Sequence, residues 1–171
     1  METTERIKDS KFYALFKESL QDIYWAEQAL TQALPKMKDA ATSTVLADAF
    51  QKHLLETQEH AGRLEQIFGI LGEEATGKKC EAMAGLIKEG NSIIEDTDED
   101  TAVRDAGLIM AAQKVEHYEI ATYGALKSLA KRMGSSEISS LLDLTLKNEK
   151  ETDDALTVLA EQEVNDLAAS E

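Results

Sequence analysis

The sequence contains an internal repeat, in which residues 21–34 read QDIYWAEQALTQAL and residues 113–126 read QKVEHYEIATYGAL. Aligned without gaps, the two copies share Gln, Glu, two Ala and Leu. Each copy places one glutamate, Glu27 or Glu119, on an otherwise apolar helical face. A carboxylate at a core position costs several kcal/mol unless it is protonated, paired or bound to a cation. The repeat therefore indicates a carboxylate-bearing helix pair that is used twice.

The composition favours one all-α domain. With 171 residues, the chain can bury about two-thirds of the surface that it exposes when unfolded. It has one proline, nine glycines and few aromatic residues, and it shows no strand-like alternation. We expect a single domain over residues 1–171, in which the polar tail at residues 164–171 is frayed.

The charge and the absence of long apolar segments exclude several classes of partner. A formal net charge of −15 disfavours nucleic acid and anionic lipid, because both attract surfaces rich in Lys and Arg. No segment approaches the roughly 20 apolar residues that a bilayer span needs, and the N-terminal segment lacks the apolar core of a signal peptide. The single cysteine, Cys80, cannot form an intramolecular disulfide. We expect a cytoplasmic protein with neither nucleic acid nor membrane as a partner.

Hydrophobic periodicity predicts four long helices, at residues 10–37, 43–71, 101–132 and 136–163. Short turns join the first helix to the second and the third to the fourth, so each pair is expected to be an antiparallel hairpin. The segment at residues 72–101 connects the hairpins and contains apolar residues spaced as in a short amphipathic helix. This order predicts a ferritin-like antiparallel four-helix bundle with a long crossover that carries a short fifth helix.

The distance of each polar core residue from its turn predicts which side chains meet. Glu27 lies about 13 residues before the turn near residue 40, His53 about 13 after it and Glu56 about 16 after it. Glu119 lies about 16 residues before the turn near residue 135, and Glu149 about 14 after it. With a rise of about 1.5 Å per residue, all of them lie within about one helical turn of the same level.

Four glutamates at one level would form an anionic cavity that two divalent cations neutralise. The four are Glu27, Glu56, Glu119 and Glu149, one from each long helix. Glutamate oxygens together with imidazole nitrogens suit iron or manganese, and zinc is an easy substitute. We expect at most two ions per chain, with iron as the first choice.

Other side chains on the same helical faces extend this ligand set. The further candidates are Glu116, His53, His60 and Asp153. Since Thr152 occupies the place where di-iron bundles have a histidine, one metal position is expected to have oxygen ligands only. Three residues are expected to orient the ligands by hydrogen bonds, and these are Tyr24, Gln113 and Tyr123.

Each of these residues also has an ordinary structural explanation. A glutamate on a long helix often lies at the core boundary with its carboxylate in water. A histidine such as His53 or His60 often lies at the same boundary, hydrogen-bonded to a carboxylate or to the backbone. Tyrosines such as Tyr24 and Tyr123 also pack ordinary cores. The matched depth of four glutamates, two of them in a repeat, favours the metal site.

Several stretches resemble the YciF-type family of bacterial stress proteins, which is ferritin-like. They are DIYWAEQALTQALPKM (22–37), HLLET (53–57), KKCEAMAGLIKEG (78–90), VRDAGLIMAAQKVEHYEIATYGALKSLAKRMG (103–134) and NEKETDDALTVLA (148–160). The resemblance extends over residues 12–165 and implies a five-helix bundle, commonly dimeric, related in architecture to rubrerythrin and the di-iron carboxylate proteins. Carried over, the family motif falls on Glu27, His53, Glu56, Glu116, Glu119 and Glu149.

Two functions of different classes are compatible with these features. The first is a metal-binding protein of the stress response, acting as an oxidoreductase that oxidises Fe(II) with oxygen or peroxide as its small substrate. The second is a structural or partner-binding bundle in which the internal carboxylates are vestigial. A homodimer is expected from the resemblance. Iron storage in a shell is disfavoured, because the sequence shows no cage-forming interface.

Overall fold

Six helices make up the structure, a computed structural model that describes residues 8–171; the first seven residues of the expected domain lie outside the described part. The helices are α1 (Lys11–Ala40), α2 (Thr44–Leu71), α3 (Glu81–Asp96), α4 (Ala102–Arg132), α5 (Ser136–Leu159) and α6 (Asn165–Ser170), with a π-helical turn at Ala160–Val164. α1 and α2 form one antiparallel hairpin and α4 and α5 the other, which confirms the predicted ferritin-like bundle. None of the described helices is long and apolar enough to cross a bilayer.

The residues at the helix ends explain where the helices begin and stop. The side-chain oxygens of Ser43 and Thr101 accept hydrogen bonds from the backbone N–H three residues further on, which satisfies donors that have no partner within the helix. Gly72 and Gly134 follow α2 and α4 with φ angles of 69° and 78°. Glycine adopts this left-handed conformation without strain and so ends a helix.

The crossover contains the short helix that its apolar spacing predicts. α3 packs against α4 and α1, and its Met83 is fully buried. A Cβ atom on Gly107 of α4 would lie 2.7 Å from Ile93 Cγ2, so any larger residue would displace the Ile93 side chain where α3 crosses α4. Upstream of α3, the backbone N–H of Lys78 donates to the carbonyl of Gln21 on α1 at 3.0 Å. The crossover is therefore fixed to both hairpins.

Two adjacent buried residues, Arg104 and Asp105, connect α4 to two loops. The Asp105 carboxylate accepts the backbone N–H of Thr42 and of Ser43, each at 2.7 Å, at the turn between α1 and α2. Arg104 donates to Thr97 Oγ1 and to the carbonyl oxygens at the end of α3. Charged residues are rarely buried unless they are paired in this way. Both loops are thereby attached to the first turn of α4.

At two places in the bundle, packing decides which of two neighbouring residues faces the core. On α1 Tyr13 is buried, whereas its neighbour Phe12 is 39% exposed. On α2 the buried positions include Phe50 and Thr57, and Glu56 lies only half-buried at the edge of the core face. From His53 the next inward position can lie three or four residues on, because 3.6 residues per turn fits both. The sequence pattern alone does not distinguish Glu56 from Thr57.

The prediction of a frayed tail at residues 164–171 is wrong in the structure. Val164 is 1% exposed and ends a π-helical turn, after which α6 continues to Ser170. The side-chain carboxylate of Glu171 accepts the backbone N–H of Ala102 and Val103, at 2.8 and 3.1 Å. A carboxylate is favourable at a helix N-terminus, where the N–H groups have no other partner. The polar composition of the tail predicts neither the burial of Val164 nor the hydrogen bonds of Glu171.

Candidate metal centre

Six ionisable side chains from all four long helices meet in the middle of the bundle. None is more than 3% exposed. The set comprises Glu27 from α1, His53 and His60 from α2, Glu116 and Glu119 from α4, and Glu149 from α5. Side chains of this kind are seldom fully buried without a partner, so their concentration in one place requires a chemical explanation.

The six side chains fall into two groups that share Glu149. His53, Glu116, Glu119 and Glu149 each offer a ligand atom within 4.8 Å of the others, and Glu27, His60 and Glu149 do the same. Each group thus contains one imidazole and at least two carboxylates. The structure therefore differs from the expectation of a position with oxygen ligands only, because His53 and His60 point into different groups.

The short distances inside the two groups lack hydrogen-bond geometry. His60 Nδ1 lies 2.8 Å from Glu149 Oε1 and 3.5 Å from Glu27 Oε1. His53 Nε2 lies 3.1 Å from Glu116 Oε1. Even so, both ring nitrogens of both histidines and both carboxylate oxygens of Glu119 and Glu149 have no hydrogen-bond partner. When the imidazoles are neutral, these nitrogen and oxygen atoms point lone pairs towards one another, which is the arrangement that metal ligands adopt.

Among the described residues, every buried side-chain nitrogen or oxygen without a hydrogen-bond partner belongs to this region. The twelve atoms are on Glu27, His53, Glu56, Thr57, His60, Glu116, Glu119 and Glu149. A buried polar atom without a partner costs about 1–3 kcal/mol, and more when the group is charged. In the rest of the described chain, buried polar side-chain atoms have hydrogen-bond partners. The concentration of partnerless atoms in one region therefore has a specific cause.

Burial raises the pKa of three of the four glutamates in the two ligand groups. The pKa of Glu119 lies well above its usual range because of burial and of repulsion from Glu149 and Glu27. Burial also raises the pKa of Glu27, and that of Glu116 to about 7. Glu149 is the exception: burial opposes its ionisation, but His60 outweighs this effect and lowers its pKa.

The neighbouring glutamates raise the pKa values of the two histidines. Burial disfavours the charged imidazolium, but Glu116 outweighs it and raises the pKa of His53 to about 9. Glu149 and Glu27 likewise outweigh burial at His60 and raise its pKa to about 10. Without a cation, the region therefore holds protons on imidazoles and carboxylates. A divalent cation would displace those protons.

Two neighbouring side chains fix the surroundings of the ligands. The Tyr123 hydroxyl donates to Glu27 Oε1, a contact of the kind that orients carboxylate ligands in metal sites. Arg63 Nη1 donates to Asn148 Oδ1 at 2.9 Å and to the buried Thr145 Oγ1 at 3.3 Å, joining α2 to α5 next to Glu149. Arg63 is not among the site residues that the sequence predicts. In the sequence, only its position about one helical turn after His60 indicates that it lies near the site.

Four other predicted site residues lie outside both ligand groups. Glu56 Oε1 contacts Lys52 Nζ at 3.2 Å at the edge of the region. Asp153 bonds His117 Nε2 at 3.0 Å and accepts from Gln113 Nε2 at 3.2 Å, so these residues join α4 to α5 beside the site. The Tyr24 hydroxyl donates to Glu65 at 2.8 Å and so has a partner of its own.

The donor set fits a pair of iron or manganese ions. Four buried glutamates and two imidazoles, once deprotonated, would offer oxygen and nitrogen donors of the kind that these metals share. Two divalent cations would balance the charges of the four carboxylates. Glu149, common to both groups, is placed to contact both ions.

Comparisons with known proteins agree with this architecture. Residues 11–169 match the family model described as a domain of unknown function, DUF892. Protein YciF of Escherichia coli strain K12 is 47% identical over 158 residues, which cover 90% of this chain and 93% of YciF.

Solved structures are similar over comparable lengths. The crystal structure of the E. coli stress protein YciF is 44% identical, with a TM-score of 0.87, and covers 91% of this chain and 98% of its own. YcfI of Rhodopseudomonas palustris is 40% identical, with a TM-score of 0.84, over 86% and 94%. A protein of Xanthomonas campestris pv. campestris, 20% identical with a TM-score of 0.73 over 94% and 98%, shares the fold. Since the family model spans almost the whole chain, the chain belongs to the DUF892 family, together with YciF.

Proposed function

We propose that this protein binds two divalent transition-metal ions, iron in the first place, at the centre of its bundle. One ion would be held by His53, Glu116, Glu119 and Glu149, and the other by Glu27, His60 and Glu149. The observation that carries this proposal is the confinement of the unsatisfied buried polar atoms of residues 8–171 to one region. Metal coordination would satisfy the ligand atoms among them and reduce the repulsion among the carboxylates.

The chemistry of such a site is oxidation of Fe(II) by a small oxidant. When bound, two Fe(II) ions would supply the two electrons that, with two protons, reduce hydrogen peroxide to two water molecules. The chain would hold the ligands in place through the Tyr123 hydroxyl on Glu27 and through helix packing. The protein would then act as an oxidoreductase in the bacterial stress response, a role suggested by the description of its E. coli relative as a stress protein.

Metal content tests the proposal directly. We would purify the protein without a histidine tag, remove bound metal with a chelator, add Fe(II) without oxygen, and measure iron by plasma emission. The wild type is expected to retain two ions per chain, one for each ligand group. Glu27→Ala and Glu119→Ala are expected to retain fewer.

The matched control is Glu151→Ala, which removes an exposed glutamate of α5 and is expected to retain the wild-type content. Addition of peroxide to the loaded wild type would then be followed by ferric absorption. Equal iron in the wild type and all three variants would disprove the metal site.

A structural role is the second candidate function. It is supported by the description of the R. palustris relative YcfI as a candidate structural protein. In that case the buried carboxylates would be neutralised by protons and histidines alone. Fe(II) would then leave the thermal unfolding temperature at neutral pH unchanged, whereas a metal site predicts a clear increase, because a ligand that binds only the folded state stabilises it.

A further inference from the structure

A small cavity leads from the surface to one of the two ligand groups. It has a volume of about 40 Å³ and lies between α2, α4 and α5. Its walls run from the exposed residues Lys52 and Ala155 to the buried residues His53 and Glu116. By the same measure of volume one water molecule needs about 10–15 Å³, so the cavity has room for a few waters or for a metal ion.

Glu56 lies on the wall of this cavity between the surface and the buried ligands. Its side chain is 19% exposed, and its Oε1 contacts Nζ of the exposed Lys52 at 3.2 Å. Its Oε2 is buried and has no hydrogen-bond partner. One oxygen of this carboxylate thus has a partner at the surface, while the other is available to the interior. Glu56 also belongs to neither of the two ligand groups.

We infer that this cavity is the route by which metal ions reach the centre, and that Glu56 is a transient ligand that passes them from the surface to His53 and Glu116. The inference rests on the proposed metal site and adds the path to it. A cation that approaches the mouth would meet the Glu56 carboxylate first. It would then move to the donor atoms of His53 and Glu116, which line the inner end.

The position of Glu56 explains why a transient role is favoured over a permanent one. A permanent ligand must lie close to the other donors, as Glu116 and Glu119 do. A carboxylate that is also held by a lysine can exchange one partner for the other as an ion passes. Since Lys52 competes with the arriving cation for Glu56, removal of its charge should accelerate loading.

The test measures the rate of metal loading separately from the amount bound. Chelator-treated full-length protein would be mixed with Co(II) in a stopped-flow spectrophotometer, and the visible absorption of bound Co(II) would be followed. Equilibrium dialysis would give the final number of ions. Glu56→Gln keeps the size of the side chain and removes its charge. Glu59→Gln is the matched control, because it removes the same charge from the same helix at a side chain that is 67% exposed. Glu59 contacts Nη2 of Arg63, so the bonds from Arg63 Nη1 to Thr145 and Asn148 remain.

We expect Glu56→Gln to reach the wild-type number of bound ions at a rate lowered about tenfold, since a charged cleft raises association rates by at least that factor. Glu59→Gln should load at the wild-type rate, and Lys52→Gln should load faster than wild type. Loss of a bound ion in Glu56→Gln would overturn the inference, because it would make Glu56 a permanent ligand. Equal rates for Glu56→Gln and Glu59→Gln would also overturn it while leaving the metal site intact. If the wild type binds no Co(II) at all, the metal site itself fails.

Discussion

His60 Nδ1 lies 2.8 Å from Glu149 Oε1, and neither atom has a hydrogen-bond partner. The two residues come from α2 and α5, which belong to different hairpins. Glu149 is also the carboxylate that both ligand groups share. The contact therefore marks the point at which the two halves of the bundle and the two candidate ion positions meet.

The shared position of Glu149 predicts that its substitution affects both ions. Glu149→Gln is expected to lower the number of bound ions more than Glu116→Gln, because Glu116 belongs to one group only. Plasma emission on the Fe(II)-loaded variants measures the number of ions, and circular dichroism checks that both variants fold. Equal losses in the two variants would show that Glu149 does not serve two ions.

The pKa values predict that the metal-free protein loses stability as the pH rises. Burial raises the pKa of Glu116 from 4.5 to about 7, so in this range the folded chain binds a proton that the unfolded chain has released. The pKa of His53 rises from 6.5 to about 9 and that of His60 from 6.5 to about 10, because the glutamates around them outweigh the effect of burial. Each folded-state histidine therefore also keeps a proton that the unfolded chain has released. Stability falls with pH wherever the folded state binds more protons. The lowered pKa of Glu149 has the opposite effect on stability, but only at pH values below 4.5, the usual pKa of a glutamate.

Thermal unfolding with a chelator, at several pH values from about 5 to about 9, measures this dependence. The same series with saturating Mn(II) is the comparison, and there the decrease should be reduced or reversed, because metal ligation requires deprotonated ligands. A metal-free protein whose unfolding temperature rises over this range would contradict the prediction.

The hydrogen bond from Tyr123 to Glu27 predicts an effect on metal affinity. Tyr123→Phe removes the hydroxyl that orients this carboxylate, and loss of such a contact typically lowers metal affinity about 10–100-fold. Tyr24→Phe is the control, since its hydroxyl donates to Glu65 outside both ligand groups. Titration with Mn(II), followed by the loss of the free-ion signal in electron paramagnetic resonance, measures both affinities. A similar affinity in the two variants would mean that Tyr123 serves packing alone.

The bonds of Asp105 predict a large loss of stability from a position outside both ligand groups. Asp105→Ala removes two acceptors from the turn between α1 and α2, and a hydrogen bond to a charged group contributes about 1.5–3 kcal/mol. We expect the free energy of unfolding to fall by about 2 kcal/mol or more, as measured by urea denaturation. The exposed Asp154→Ala on α5 should change it by less than about 0.5 kcal/mol. A small effect of Asp105→Ala would show that the turn is held by other contacts.

Much of the architecture could be predicted because helical periodicity and turn residues are local properties. Ser43, Gly72, Thr101 and Gly134 mark helix ends by their own chemistry, and the structure has helix ends at these positions. Counting residues from each turn also placed Glu27, Glu119 and Glu149 at one depth, since the rise per residue is constant along a helix.

Other features depend on contacts that sequence distance does not encode. Glu56 and Thr57 both fit the inward face of α2, and only packing against α4 and α5 decides between them. Asp153 is engaged by His117 and Gln113, a set of contacts that joins two helices. The contacts of Arg63 and of the tail at residues 164–171 could not be predicted for the same reason, because their partners are remote in sequence. The assignment of metal-binding roles to the six central residues remains a prediction.

The neighbouring pair Arg104 and Asp105 has a consequence for the axial register of α4. Arg104 is bonded to the crossover and Asp105 to the first turn, so a slide of α4 by one residue, about 1.5 Å, would break both attachments. The same slide would displace Glu116 and Glu119 from the side chains of α2 and α5 that they face. The alignment of the central carboxylates is therefore set at a helix end that contains none of them.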